Sequence, residues 1–169
     1  MLLVPGNNPS VAGETAILDT LVAIGEERSY ITLPFHLRMF LIGCLAEYIR
    51  DPDITHTVLA LGFLQSSEKI GHAKLVLLKR TGDATLLLAG FYPERSRRLH
   101  VSSLYFRFMG QASYTSLAAH LQVGPEVERG RFFSEVASAF GDLANVLRAT
   151  RSQAENEWAA FRRFRAQIG

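Results

Sequence analysis

The chain has 169 residues, 48% of them hydrophobic, and a formal net charge of +2 at pH 7. This length and composition are typical of one globular domain, so the sequence predicts a single domain over residues 1–169. The small net charge does not favour nucleic acid or anionic lipid as a partner, and the single cysteine, Cys44, excludes both an intramolecular disulfide and a zinc site with paired cysteines.

Apolar residues recur at helical spacing through the first half of the chain. Pro9 after Asn8 is typical of a first helical turn, and Asp51-Pro52 is typical of a helix end. The segment from Thr55 to Lys79 is predicted as one helix or as two, with Ser66-Ser67 as the break between them. The three predicted helices begin at Pro9, at Thr32 or Pro34, and at Asp51 or Asp53, and they end near Glu27, Arg50 and Lys79.

The next segment contains a pair of residues that favour helix ends. Gly82 suits a left-handed C-cap and Asp83 suits an N-cap, so the sequence predicts a short, buried helix over Ala84–Gly90. This helix is expected to end before the turn at Tyr92-Pro93, because the residue before a proline disfavours helical dihedrals.

Three further helices are predicted in the second half of the chain. One begins at Ser102 or Ser103 and ends near Leu121, before the turn at Gly124-Pro125. The longest amphipathic pattern follows from Pro125, and a capping box at Ser152–Glu155 opens a final helix. The fold class is therefore predicted as all-α, a single compact bundle of about seven or eight helices. The apolar face of the long helix consists of Phe133, Val136, Phe140, Leu143 and Leu147.

The sequence contains no signal for export or for a membrane span. The N-terminal apolar stretch lacks a basic region and breaks at Pro5, which does not fit a secretory signal. No run of roughly 20 uncharged apolar residues occurs. We therefore expect a soluble, cytoplasmic protein.

A dense basic segment follows the aromatic-proline turn and supplies the candidate site. Arginine offers a rigid fork of donors that matches a phosphate or carboxylate, and a helix N-terminus nearby favours an anion. The alternative is a solvated connector whose arginines lie across neighbouring carboxylates. The candidate anion-binding residues are Glu94, Arg95, Arg98, His100, Tyr105 and Arg107.

Several aromatic residues lie close to this basic segment, a mixture that can stack single-stranded nucleic acid. On a helix, however, Phe106 and Phe108 face different sides, so core packing is favoured over a shared stacking platform. The sequence therefore does not favour nucleic acid as a partner. The aromatic residues concerned are Tyr92, Tyr105, Phe106, Phe108 and Tyr114.

The sequence does not favour a metal site, a reactive thiol or a cofactor site. The five histidines are scattered, and only Glu68 and His72 have a helical carboxylate-histidine spacing, so no metal site is predicted. Cys44 lies on an apolar stripe and is interpreted as a buried structural cysteine. The common nucleotide-binding and hydrolase motifs are absent, and no cofactor is predicted.

Two features suggest contact with another helix or another subunit. The final helix combines three aromatic residues with three arginines, and docking onto the bundle or across a dimer is favoured over a membrane surface or an acidic partner helix. These residues are Trp158, Phe161, Phe164, Arg162, Arg163 and Arg165. Small residues would allow close approach of a second helix, within the chain or between subunits. A homodimer is therefore predicted, because twofold pairing is the commonest oligomer. The small residues are Gly110, Ala112, Ser113 and Ser116.

Two segments resemble a known family. Gly82–Glu94 reads GDATLLLAGFYPE and Met109–Tyr114 reads MGQASY. They are similar to a family of uncharacterised bacterial helical proteins with the pattern Gly-Asp-x-x-Leu-x-x-x-Gly-Phe-Phe-Pro-Glu followed by Met-Gly-x-x-x-Tyr, with Tyr92 where phenylalanine is usual. The resemblance implies a bacterial, cytoplasmic, helical protein. It implies no catalytic residue, because the family has no assigned activity.

The sequence alone thus leaves three functions open. The first is a non-catalytic binding or protein-interaction module, present as a homodimer. The second is an enzyme or binding protein for an anionic small molecule that uses the basic segment between Glu94 and Arg107. The third is nucleic-acid binding.

Overall fold

The computed structural model describes residues 9–56, 70–93, 95–98, 100–102 and 104–151, and these residues form helices and turns with no strand. Residues 140–151, named the C-terminal helical segment, are helical up to the edge of the described part. The predicted all-α class is confirmed. The α-helices that lie wholly within the described residues are α1 (Pro9–Ser29), α2 (Phe35–Arg50), α3 (His72–Phe91), α4 (Arg95–Arg98), α5 (Tyr105–Leu121) and α6 (Val127–Ser138), and a 3₁₀ turn covers Pro52–His56.

Most helix ends with local sequence signals lie close to where the sequence predicts them, but α5 begins at Tyr105 and not at Ser102 or Ser103. α1 begins at Pro9 and ends at Ser29, two residues beyond the predicted end, and α2 stops before Asp51. α5 ends at the predicted Leu121, and Gly124 adopts a φ of +119° in the turn that follows. None of these described helices has both the length and the apolar character needed to cross a bilayer.

The segment between α2 and α3 is not one continuous helix. A 3₁₀ turn covers Pro52–His56, and α3 begins only at His72. Gly71 precedes it with a φ of +61°, a conformation that glycine adopts more readily than any other residue. This excludes the single helix from Thr55 to Lys79, whereas the predicted break at Ser66-Ser67 lies outside the described residues.

The prediction that Gly82 and Asp83 cap two separate helices is wrong. Both residues lie in the interior of α3, so one helix stands where the sequence predicted two, and the predicted total of seven or eight helices is slightly off. A Cβ at Gly82 would lie 2.6 Å from Cε1 of Tyr114, so glycine is required here for packing. Asp83 accepts hydrogen bonds from Nζ of Lys79 and from the hydroxyl of Tyr114. Because these partners satisfy the buried carboxylate, Asp83 can lie in the interior of a helix.

α3 forms the centre of the described fold, since every residue from 81 to 90 is buried. It packs most extensively against α5, and α5 packs in turn against α6. Glycines allow close approach, because a Cβ at Gly90 would lie 2.4 Å from Leu147 and one at Gly110 would lie 2.1 Å from the ring of Phe140. The small residues of α5 therefore serve a contact within the chain at Gly110.

The long amphipathic pattern after Pro125 is divided by one irregular residue. α6 ends at Ser138, Ala139 forms a turn, and the C-terminal helical segment follows directly, with the Leu143 amide donating to the Ala139 carbonyl at 3.0 Å. The predicted apolar face is confirmed, because all five of its residues are buried. The predicted capping box at Ser152–Glu155 and the aromatic residues that follow it lie outside the described residues.

A buried polar cluster joins α2, α3 and α5. Its centre is Asp83, which is 2% exposed, with Nζ of Lys79 at 2.6 Å, the hydroxyl of Tyr114 at 2.7 Å and Sγ of Cys44 at 3.7 Å. Burial raises the pKa of Asp83, an effect that Lys79 and Tyr114 partly offset. Burial alone would lower the pKa of Lys79, but the adjacent carboxylate raises it above its ordinary value. Cys44 is buried as predicted, and burial together with Asp83 raises the pKa of its thiol.

This cluster predicts a loss of stability in alkali. The pKa values of Cys44, Tyr114 and Lys79 are all raised in the folded chain, those of Cys44 and Tyr114 by burial and by the charge on Asp83. Stability from a group with a raised pKa is fully present below its unfolded value and is lost as the pH rises through the folded value. Because the unfolded values are about 8.5, 10 and 10.4, the free energy of unfolding should fall from about pH 8.5 upward.

Urea unfolding at a series of pH values measures this decline. The variant Tyr114→Phe removes one of the three titrating groups, so its stability should decline less steeply than that of the wild type. Tyr30→Phe is the matched control, because Tyr30 is almost fully exposed. If stability declines with equal slope in the wild type and in Tyr114→Phe, the titration of Tyr114 does not contribute to the alkaline decline.

Candidate anion-binding cleft

The predicted site residues lie in different surroundings, and Arg95 is engaged within the chain. Arg95 lies on α4, where its Nη1 donates to the carbonyl of Thr55 at 3.1 Å and its guanidinium carbon lies 4.7 Å from the centre of the Tyr92 ring. The Tyr92 hydroxyl is itself 2.5 Å from the hydroxyl of Tyr48 on α2. Arg95 therefore fixes the aromatic-proline turn to the 3₁₀ turn.

The other described members of the predicted set differ in burial. Arg98 and His100 are exposed, and His100 lies in a turn with a φ of +53°. Tyr105 is partly buried and packs edge-on against Phe106, with 5.9 Å between ring centres. Glu94 lies outside the described residues. Among the described members of the predicted set, Arg107 alone lines the cleft described next.

The predicted packing role of the nearby aromatic residues is confirmed for most of them. Phe106 is 1% exposed and Phe108 is 65% exposed, as expected for residues on different sides of α5. Tyr114 is fully buried, and both Tyr92 and Tyr105 pack against the core. These rings therefore do not form a shared stacking platform.

A cleft of about 420 Å³ opens between the end of α3, the start of α5 and the C-terminal helical segment. Its floor is apolar, and two guanidinium groups and one amide stand at its sides. None of its described lining residues is acidic. The lining residues are Ala89, Pro93, Leu104, Phe106, Arg107, Phe140, Gly141, Ala144, Asn145 and Arg148.

Arg148 is held in this cleft by the end of α3. The Ala89 carbonyl would normally accept from the amide four residues later, but that residue is Pro93, which has no N–H. Nη2 of Arg148 donates to this carbonyl at 3.0 Å. A cation beside the C-terminus of a helix is also favourable for the helix dipole. This bond engages one N–H of Arg148, and guanidinium has four others for a ligand.

Arg107 reaches the cleft from the first turn of α5. Its guanidinium carbon lies 3.5 Å from the position that a Cβ at Gly141 would occupy, so the guanidinium lies beside the backbone of the C-terminal helical segment. Within the described part of the chain, neither Arg107 nor Arg148 forms an ion pair with a carboxylate.

One face of the C-terminal helical segment shapes the cleft. Gly141, Asn145 and Arg148 follow one another at spacings of four and three residues, which places them on one side of a helix. Phe140 and Ala144 lie beside them and are buried. The cleft therefore combines a polar rim with an apolar floor, as small-molecule sites commonly do.

The sequence predicts only part of this site. Arg107 belongs to the predicted set, but Arg148 and Asn145 were not predicted, because they are more than 35 positions further along the chain. Pro93 is the one local signal, since it leaves the Ala89 carbonyl without its helical partner. That signal requires a donor, but the sequence does not say which residue supplies it.

Comparison of the chain with protein-family models, curated proteins and solved structures gave no match. The resemblance to the bacterial helical family therefore stays a prediction based on the two segments that contain its motifs. Within the described residues, no group of three or more histidine, cysteine, aspartate or glutamate side chains is arranged to hold a metal ion.

Proposed function

We propose that the protein binds a small anionic molecule in the cleft between α3, α5 and the C-terminal helical segment. The observation that carries the proposal is the pair formed by Arg107 and Arg148, two guanidinium groups on one apolar cleft without a carboxylate partner among the described residues. In a partly desolvated cleft such groups bind a carboxylate or phosphate through charge-assisted hydrogen bonds.

Each arginine has a distinct role in this proposal. Arg107 is exposed and makes no hydrogen bond within the described part of the chain, so its whole fork is available to the ligand. Arg148 is oriented by the Ala89 carbonyl and keeps its remaining N–H donors for the ligand. The ligand then supplies hydrogen-bond acceptors to both guanidinium groups. We therefore expect specific binding rather than a general attraction of anions.

This function develops the second of the three hypotheses drawn from the sequence, with its site moved from the connector to the cleft. A non-catalytic role agrees with the proposal, because binding requires only the donors and the apolar floor. A homodimer stays a prediction. One feature supports it: Phe35 and Met39 lie one helical turn apart on α2 and are both exposed apolar residues.

Native mass spectrometry of the protein purified at low salt tests the proposed function. The wild type should retain a small acidic molecule. The variant Arg107→Ala should bind this molecule at least about tenfold more weakly, which corresponds to the loss of one charge-assisted hydrogen bond. Because Arg107 is exposed, its replacement should leave the thermal midpoint unchanged. Arg98→Ala is the matched control, since Arg98 is an exposed arginine of the same basic segment that does not line the cleft. Equal retention in Arg107→Ala and wild type, or no retention in either, would contradict the proposal.

A further inference from the structure

The walls of the cleft constrain the ligand more than its two charges do. Phe106 and Phe140 line the cleft but are almost fully buried, so the apolar surface that a ligand can reach includes the side chains of Pro93 and Leu104. Leu104 lines the cleft and is 53% exposed, so its side chain can contact a bound molecule. A ligand that used the arginines alone would leave this apolar surface in water, which costs roughly 25 cal/mol for each Å².

The charges of the cleft limit the ligand to a small number of negative charges. Two guanidinium groups are present, and one N–H of Arg148 is already bonded to the Ala89 carbonyl. The C-terminal end of α3 also borders the cleft through Ala89, and the last carbonyls of a helix have a partial negative charge that repels anions. A polyphosphate would place charge against this helix end, whereas a single carboxylate can remain between the two arginines.

The size of the cleft agrees with a molecule of one ring or a short branched chain. About 420 Å³ is near the lower end of the range for small-molecule sites. A ring or a branched chain of this size can cover the side chains of Pro93 and Leu104.

We infer that the ligand is a monocarboxylic acid with an apolar body, of the arylacetic or branched-chain type. This inference rests on the proposed function. The carboxylate binds the guanidinium groups of Arg107 and Arg148, and the apolar body lies against Pro93 and Leu104. Arg107 thus provides charge recognition, and Leu104 provides selectivity for the apolar body.

Isothermal titration calorimetry of the full chain with four matched probes tests this inference. Phenylacetate contains both the charge and the ring, acetate lacks the ring, 2-phenylethanol lacks the charge, and inorganic phosphate has charge without an apolar body. Phenylacetate should bind about 10- to 100-fold more tightly than 2-phenylethanol, because it gains a charge-assisted interaction. It should also bind at least about tenfold more tightly than acetate, because the ring buries apolar surface.

Two variants assign the contacts. Leu104→Ala should weaken phenylacetate severalfold and leave acetate unchanged, whereas Arg107→Ala should weaken both acids. Val123→Ala is the control, because Val123 is 85% exposed and does not line the cleft. Equal phenylacetate affinity in Leu104→Ala and wild type would overturn the contact with the apolar body.

The outcomes separate this inference from the proposed function. If phosphate binds more tightly than phenylacetate and its binding depends on Arg107, the ligand class is overturned and the anion site stands. If 2-phenylethanol binds as tightly as phenylacetate, the role of the carboxylate is overturned. If native mass spectrometry shows an Arg107-dependent acid that lacks an apolar body, the ligand class fails while the proposed function is supported.

Discussion

Replacement of Asp83 by alanine is expected to lower the free energy of unfolding by about 3 kcal/mol. The change removes the acceptor for the buried hydroxyl of Tyr114, which is left without a partner. It also leaves the Lys79 ammonium, whose side chain is 32% exposed, without the carboxylate at 2.6 Å. The remaining exposure of Lys79 lets it reach water, so we place the effect at the lower end of the range for broken buried pairs.

Urea unfolding measures the effect as a change in midpoint at constant slope. Glu128→Ala is the control, because it removes the acid of an exposed ion pair with Arg131 and should change stability by at most about 0.5 kcal/mol. If Asp83→Ala is no less stable than Glu128→Ala, the buried cluster does not stabilise α3 in the way described.

Replacement of Gly110 by alanine is expected to lower the free energy of unfolding by about 2 kcal/mol, the second large effect. The new Cβ would lie 2.1 Å from the ring of Phe140, which is fully buried and cannot move without disturbing the floor of the cleft. The same substitution at an exposed helical glycine stabilises a protein, because alanine has the higher helix propensity. The sign of the change at Gly110 is therefore set by packing alone.

Gly43→Ala provides the matched control for this prediction. Gly43 lies in the interior of α2, is exposed and has no atom within 4 Å of the position of its Cβ. The variant Gly43→Ala should have a free energy of unfolding about 0.5–1 kcal/mol higher than that of the wild type. Thermal unfolding of the two variants should thus give shifts of opposite sign, and shifts of the same sign would contradict the described packing of α5 on the C-terminal helical segment.

The ends of α1, α2 and α5 could be predicted from sequence because their signals are local. Pro9 sits at a first helical turn, and Asp51-Pro52 and Gly124-Pro125 stop the helices that precede them. The error at Gly82-Asp83 has the opposite origin. Both residues favour helix ends in isolation, but Tyr114, 31 positions further along the chain, packs on the glycine and bonds the aspartate. Tertiary contacts of this range are invisible to local propensity.

The site was predicted less completely than the fold for a related reason. The basic segment contains several arginines, and sequence alone does not reveal that Arg95 is engaged by Thr55 and Tyr92 while Arg107 faces a cleft. Arg148 lies on a predicted helix whose apolar face was recognised, but its position beside Ala89 depends on how that helix crosses α3. The crossing depends on Gly90, which permits close approach of Leu147.

An NMR titration of the arginine side-chain Nε–H signals tests the anion site most directly. Inorganic phosphate and phenylacetate are added separately to the full chain labelled with ¹⁵N, so the result does not depend on the ligand class. We expect the signals of Arg107 and Arg148 to shift and saturate with at least one of the two anions, while the signal of the exposed Arg98 stays in place. If neither anion shifts Arg107 or Arg148, or if Arg98 shifts to the same extent, the cleft is not an anion-binding site.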